Sequence, residues 1–178
     1  MRVPVSQAAA AALLSTAVSW RSRPPCCAAS SDRTIELSPR PDLTPQELPG
    51  RLMDVLMHND FPEVDSGLRS MWQFASDTTR FLYKGNITEY IEDAHETADT
   101  LPTSFYGVAF YGKEYELEGA MTLTGSDHWI GTQVMKTISS DGRLRRWQWE
   151  LRRHRQTRCW YVESIGSSDR LGNFDIEG

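Results

Sequence analysis

Near its C-terminal end the chain carries a segment that few folds can accommodate, Arg143-Leu-Arg-Arg-Trp-Gln-Trp-Glu-Leu-Arg-Arg153. Trp147, Trp149 and Leu151 recur at every second position, and Arg146, Gln148, Glu150 and Arg152 fill the positions between. Strand side chains alternate between the two faces of a sheet, so this segment predicts a strand with one apolar and one charged face. Its neighbours repeat the pattern. Tyr115, Leu117, Met121 and Leu123 alternate with Glu114, Glu116, Glu118 and Thr122. From Trp129 to Ser139, Ile130, Thr132, Val134, Lys136 and Ile138 alternate with Gly131, Gln133, Met135 and Thr137. Ser140-Asp-Gly142 is a hairpin signal, because Asp-Gly suits turns that need positive φ. A further strand pattern covers Cys159–Ile165, and the doubly apolar run Phe105–Gly112 reads as a buried strand. Short turns between successive strands imply an antiparallel sheet.

Helical patterns come first along the chain. Thr44-Pro-Gln-Glu47 has the wording of a capping box, with Leu48, Leu52, Val55 and Leu56 on one stripe and Pro49 moving the regular start toward Gly50. Asp65 is placed to cap a second helix carrying Leu68, Met71, Trp72 and Ala75. Asn86 opens a third, with Ile87, Tyr90, Ile91, Ala94 and Ala98 on one face and Glu89, Glu92, Asp93, Glu96 and Asp99 on the rest. His95, among these acids, reads as a solvated residue. Three helices on one side of an antiparallel sheet define an α+β domain over residues 44–166, followed by a mobile tail at 167–178.

Residues 1–31 read as a targeting leader: Arg2, a short apolar run from Ala8 to Val18, then Trp20-Arg-Ser-Arg-Pro-Pro25. The run is too short to span a bilayer. The leader resembles the bipartite plastid presequences of algae, with a mitochondrial presequence and plain secretion as alternatives. Residues 32–43, with Pro39 and Pro41, read as a disordered or extended linker. The formal net charge is -5; residues 1–31 hold three arginines and no acid, which leaves -8 for the rest. An acidic body argues against general nucleic-acid binding, even though Arg143, Arg145, Arg146, Arg152, Arg153, Arg155 and Arg158 cluster in sequence. Beyond the leader Cys159 is the lone cysteine, so the domain is held by packing, with Cys159 as a buried structural thiol.

Asn59-Asp60-Phe-Pro62, then Gly67-Leu-Arg-Ser-Met-Trp-Gln-Phe-Ala-Ser76, resemble a block in a family of the nuclear transport factor two-like (SnoaL-like) superfold. Arg80, Gly85, Trp147, Trp149 and Cys159–Ser164 extend the resemblance over residues 43–165. It implies a cone-shaped fold: three N-terminal helices packed on a curved antiparallel sheet, with a pocket open at one end. The superfold hosts ligand-binding modules and acid–base enzymes alike, so the resemblance implies a fold without an activity.

The residues offer several candidates for chemistry within such a pocket. His58 and Asp60, at the end of the first helix, and Glu163, in register with Tyr161 and Ile165, are the acid–base candidates. Trp72, Tyr111, Tyr115, Lys136, Trp147 and Trp149 are the candidate pocket walls, and core packing or strand-edge exposure is the simpler role for each. The histidines lack metal-ligand spacing, and neither a cofactor motif nor a transmembrane segment is legible. The expected function is therefore a plastid-targeted domain binding a small apolar or amphipathic ligand or a protein partner, with a homodimer through the outer sheet face. The rivals are an acid–base isomerase or dehydratase and an assembly or scaffold factor.

Overall fold

The computed structural model describes residues 37–127 and 129–168; the leader, the first part of the linker, His128 and the tail beyond residue 168 lie outside the described residues. Among the described residues five helices precede a four-stranded sheet: α1 (Leu48–Met57), α2 (Ser66–Gln73), α3 (Asp77–Leu82), α4 (Ile87–Thr100), α5 (Phe105–Tyr111), then β1 (Glu114–Thr124), β2 (Ile130–Ile138), β3 (Leu144–Arg153) and β4 (Trp160–Ser167). The strands form an antiparallel meander in the order β1-β2-β3-β4. The architecture is α+β, as the patterning predicts.

Two expectations about local structure are corrected. Residues 105–111 form α5 rather than a strand. A short run apolar on all sides fits either element, and its flanks decide. The Ser104 hydroxyl caps the helix by accepting from the Gly107 N–H at 3.0 Å. The second correction is α3, where no helix is expected; Ser76 caps it through the Thr79 N–H at 3.3 Å. Asn86 does cap α4, accepting from the Thr88 and Glu89 N–H groups at 3.1 and 3.4 Å. At α1 Thr44 and Glu47 do pair, 2.8 Å apart, and regular helix begins at Leu48. Leu37 and Leu43 are buried in the main core, so the described part of the linker packs against the domain.

The tryptophan strand organises the packing. Trp149 and Leu151 are fully buried, Trp147 nearly so, and the Phe105 ring meets both tryptophans edge-on at 5.6 and 5.4 Å. Leu48, Leu52, Met53 and Leu56 from α1, Leu68 and Met71 from α2 and Val108 from α5 complete the core. Each such side chain contributes about 1.5–3 kcal/mol by burial. In β2 the alternation is as read but the facing is reversed: Gly131, Gln133, Met135 and Thr137 are buried, while Ile130, Thr132, Val134, Lys136 and Ile138 are half-exposed on the outer face. A bulge between Glu118 and Thr122 interrupts β1, and the buried Gln133 amide donates to the carbonyls of Glu118 and Gly119 at 3.0 and 3.4 Å. Two residues are added there, so Tyr115, Leu117, Met121 and Leu123 all keep to the packed face.

The junction of α1 and α2 is as tightly built. The Asn59 side chain accepts from the Leu68 N–H at 2.9 Å, and the Gly67 N–H donates to the Asn59 carbonyl at 3.0 Å. A Cβ at position 67 would stand 2.4 Å from the Val55 carbonyl oxygen and 3.0 Å from Asn59 Cα, both backbone atoms. Gly67→Ala is expected to destabilise the domain by about 1–3 kcal/mol in chemical denaturation, since neither neighbour can yield cheaply. An unchanged midpoint would contradict this packing.

Candidate functional site

A cleft lies at one end of the sheet and is built by three segments. At the free edge of β4, the Val162 N–H donates to the Phe74 carbonyl at 2.7 Å, and the Ser76 N–H donates to the Val162 carbonyl at 3.0 Å. That pairing brings the first turn of α3 alongside β4. The β1–β2 turn, through Gly125, Ser126 and Trp129, forms a second wall, and the β3–β4 loop from Arg153 to Thr157 forms a third. Ile130, Arg152, Tyr161 and Glu163 line the cleft from β2, β3 and β4. Its volume is about 780 Å³, within the range of small-molecule sites.

Four arginines and two acids, Asp77 and Glu163, line this cleft, in a chain whose body is acidic. Two of the arginines are committed to the backbone. Arg80 Nη2 donates to the Trp72 and Gln73 carbonyls at 3.3 and 2.8 Å, closing the end of α2, while its buried Nε has no partner. Arg153 Nε donates to the Arg158 carbonyl at 3.0 Å, with its guanidinium 5.9 Å from the Trp160 ring. Arg158 in turn stands 5.3 Å over the Trp129 ring, fixing that wall. The other two arginines keep their donors. Arg152 Nε is 3.8 Å from Glu163 Oε2, too far for a hydrogen bond, and Arg155 is exposed without a hydrogen bond or ion pair among the described residues. Glu163 Oε1 accepts from the Thr78 hydroxyl at 3.0 Å. The Thr157 N–H points at His154 Nδ1, 3.3 Å away, so Nδ1 is the acceptor and a neutral His154 carries its proton on Nε2. The His154 ring also meets Tyr161 edge-on at 6.1 Å.

Of the expected site residues, only Glu163 lines this cleft. His58 is exposed, its Nδ1 2.9 Å from the Asp54 carbonyl, and Asp60 is exposed and accepts from the Asn59 amide and the Asp65 N–H at 3.0 and 3.1 Å. These are turn contacts at the end of α1, and neither residue lines the cleft that holds Glu163. Lys136, a candidate pocket wall, is on the outer face 2.9 Å from Glu118. Hydrogen bonds from Lys136 and, more weakly, Arg146 outweigh the cost of burial and hold Glu118 below its ordinary pKa. Tyr111 lies exposed on α5, donating to Asp99 at 2.7 Å, and Tyr115 donates to the Gly50 carbonyl and Asp54 on α1 at 2.9 and 2.6 Å. Trp72 stacks with Tyr90 and Tyr83 in a helical aromatic cluster. Trp147 donates to Thr137 Oγ1 at 3.0 Å and belongs, with Trp149, to the core. The arginines in and beside β3 do not form one patch: Arg143, in the turn before the strand, and Arg146 pair with Asp141 and Glu118, while Arg152 and Arg153 stand at the cleft.

A smaller groove of about 460 Å³ runs between α2 and α4, lined by Asp65, Arg69, Thr88, Glu92 and His95 among others. Here two sequence readings are corrected: His95 is engaged rather than solvated, with Nε2 2.6 Å from Asp65 Oδ1, and Asp65 makes no capping bond to α2. Asp65 instead adopts a left-handed backbone at φ 62, and Asn59 Nδ2 donates to its carboxylate at 3.1 Å. A cap and a cross-helix acceptor compete for the same short side chain, and the cross-helix contact wins. Burial acts to raise the Asp65 pKa, but the hydrogen bonds from His95 and Asn59, supported by the nearby His95 and Arg69 charges, hold it below its ordinary 3.8.

Cys159 is buried, its thiol 3.5 Å from the Thr157 carbonyl. Among the described residues no helix is long and apolar enough to cross a membrane, and no cluster of three or more His, Cys, Asp or Glu stands ready for a metal ion. The chain matches no protein-family model, no curated protein and no solved structure.

Because the folded pKa of Asp65 is depressed, its contribution to stability is complete above the unfolded value and fades as pH falls through the lower folded value. Asp65→Asn is therefore expected to lower stability by about 1–3 kcal/mol at pH 7, with the deficit shrinking below about pH 4. Urea denaturation of both proteins from pH 7 to pH 2.5 measures this; a deficit that stays constant across that range would refute the pairing.

Proposed function

We propose that this chain is a ligand-binding domain of the cone-shaped α+β kind, delivered to a plastid by its leader. Its site is the cleft bounded by α3, the β1–β2 turn and the β3–β4 loop, and its ligand is a small amphipathic molecule bearing an anionic group. One observation carries the reading: a cleft of ligand size combines Arg155, unpaired among the described residues, and Arg152, which faces Glu163 at 3.8 Å without a hydrogen bond, with the rings of Trp129 and Tyr161. Cations recognise the anionic group through charge-assisted hydrogen bonds, and the rings supply apolar area for the rest of the ligand. The order of helices before a four-stranded meander supports the cone-shaped fold, with α3 and α5 as additions to a three-helix plan.

The acid–base reading has one specific support. Glu163, with its side chain 19% exposed, shares the cleft with His154 and Tyr161, which gives a carboxylate and an imidazole along one surface. Binding is favoured over catalysis because the Thr78 hydroxyl donates to that carboxylate and the Arg152 guanidinium faces it, so Glu163 has a structural role in the cleft.

A thermal-shift panel of organic anions, cations and neutral analogues tests the reading. Anions with an aromatic or aliphatic body are expected to raise Tm, and Arg155→Ala or Trp129→Ala should each weaken binding about tenfold. Equal stabilisation by cations or neutral molecules would overturn it.

A further inference from the structure

We infer that Glu163 is an internal stand-in for the ligand's anionic group, occupying Arg152 in the empty cleft and yielding it to an incoming oxyanion. The inference rests on the binding role proposed above and deepens it. Glu163 lies at the register shift where β3 and β4 pair, between Leu151↔Val162 and Glu150↔Ser164, so the ladder gives it no direct partner. Its carboxylate is tied on one side only. Thr78 holds Oε1 at 3.0 Å, while Oε2 stays 3.8 Å from Arg152 Nε, an attraction without a hydrogen bond.

Such an arrangement neutralises Arg152 without using up its donors. The Arg152 side chain is 57% exposed, and the Glu163 side chain is 19% exposed. A ligand oxyanion therefore meets the guanidinium from the solvent side and can accept two parallel N–H bonds, a closer geometry than Glu163 attains. Arg155, exposed and unpaired among the described residues, is available as a second cation. Arg80 and Arg153 are bound to backbone carbonyls and supply field rather than contacts. The ligand class that follows is a carboxylate or phosphate monoester on an aromatic body. Glu163 sets the threshold, since only an anion that displaces it gains Arg152. A neutral or cationic ligand has no such exchange to offer.

Glu163→Gln isolates the effect, because the amide oxygen still accepts from Thr78 while the competing charge is removed. Isothermal titration with benzoate and with phenyl phosphate, on wild type, Glu163→Gln, Arg152→Gln and the double variant, is the test, and the two probes separate carboxylate from phosphate preference. Glu163→Gln should bind the preferred probe about fivefold more tightly than wild type, the upper end for a partly exposed ion pair. Arg152→Gln should weaken binding and abolish the gain from Glu163→Gln in the double variant. Binding by wild type with an equal or weaker Glu163→Gln overturns the stand-in role and leaves the binding role standing. A gain that survives Arg152→Gln overturns it too. If neither probe binds any of the four proteins, both roles are overturned.

Discussion

A single layer of helices covers a sheet whose inner face is aromatic, and every other feature follows from that asymmetry. Trp147, Trp149 and Leu151 on β3 lie beneath Phe105 of α5 and the aliphatic stripes of α1 and α2, so the inner face is committed to packing. Period-two alternation then forces the intervening Arg146, Gln148, Glu150 and Arg152 to the opposite face. A strand that buries two tryptophans on one side must display its charges on the other, and the proposed binding chemistry draws on that charged face. The apolar core holds the domain together and also aims the arginines.

That logic relocates the site. A cone with an internal pocket would place its chemistry between helices and sheet, where the candidate walls Trp147 and Trp149 are instead packed in the core. The open concavity sits at the sheet's end, where the 74–76 segment pairs with β4 and three connections converge. Its walls are braced by Arg158 over Trp129 and by Arg80 and Arg153 bound to carbonyls. Such bracing would limit the conformational entropy lost on ordering the proposed ligand.

The parts of the fold legible in the sequence are those governed by a local period. The strands β1 to β4 and the helices α1, α2 and α4 carry alternation or a stripe strong enough to survive any tertiary context. The helix α5 escapes because Phe105–Tyr111 is apolar all round, so its periodicity is silent, and the only signal is Ser104 as a cap. For β2 the alternation is legible but its sense is not: Gly131, Gln133, Met135 and Thr137 look no more apolar than Ile130, Val134 and Ile138. The buried set is chosen by partners, since Gln133 is needed at the β1 bulge and Thr137 accepts from Trp147. Lys136 falls on the outer face for the same reason. Of the site, Glu163 was recognisable by its register with Tyr161, whereas its union with Thr78, Trp129 and Arg155 depends on a long-range edge pairing that no local pattern announces. The Asp65–His95 contact is hidden for the same reason: thirty residues separate its two members.

The central claim is that ligands meet this domain at the end of its sheet and not between its two layers. Amide chemical-shift mapping during titration with phenyl phosphate tests it most directly. The account predicts perturbations concentrated at residues 76–80, 125–130 and 152–163, with the amides of Leu48–Met57 and the indole of Trp149 unmoved. Shifts centred on Trp147, Trp149 and the inner stripe of α1 would contradict it.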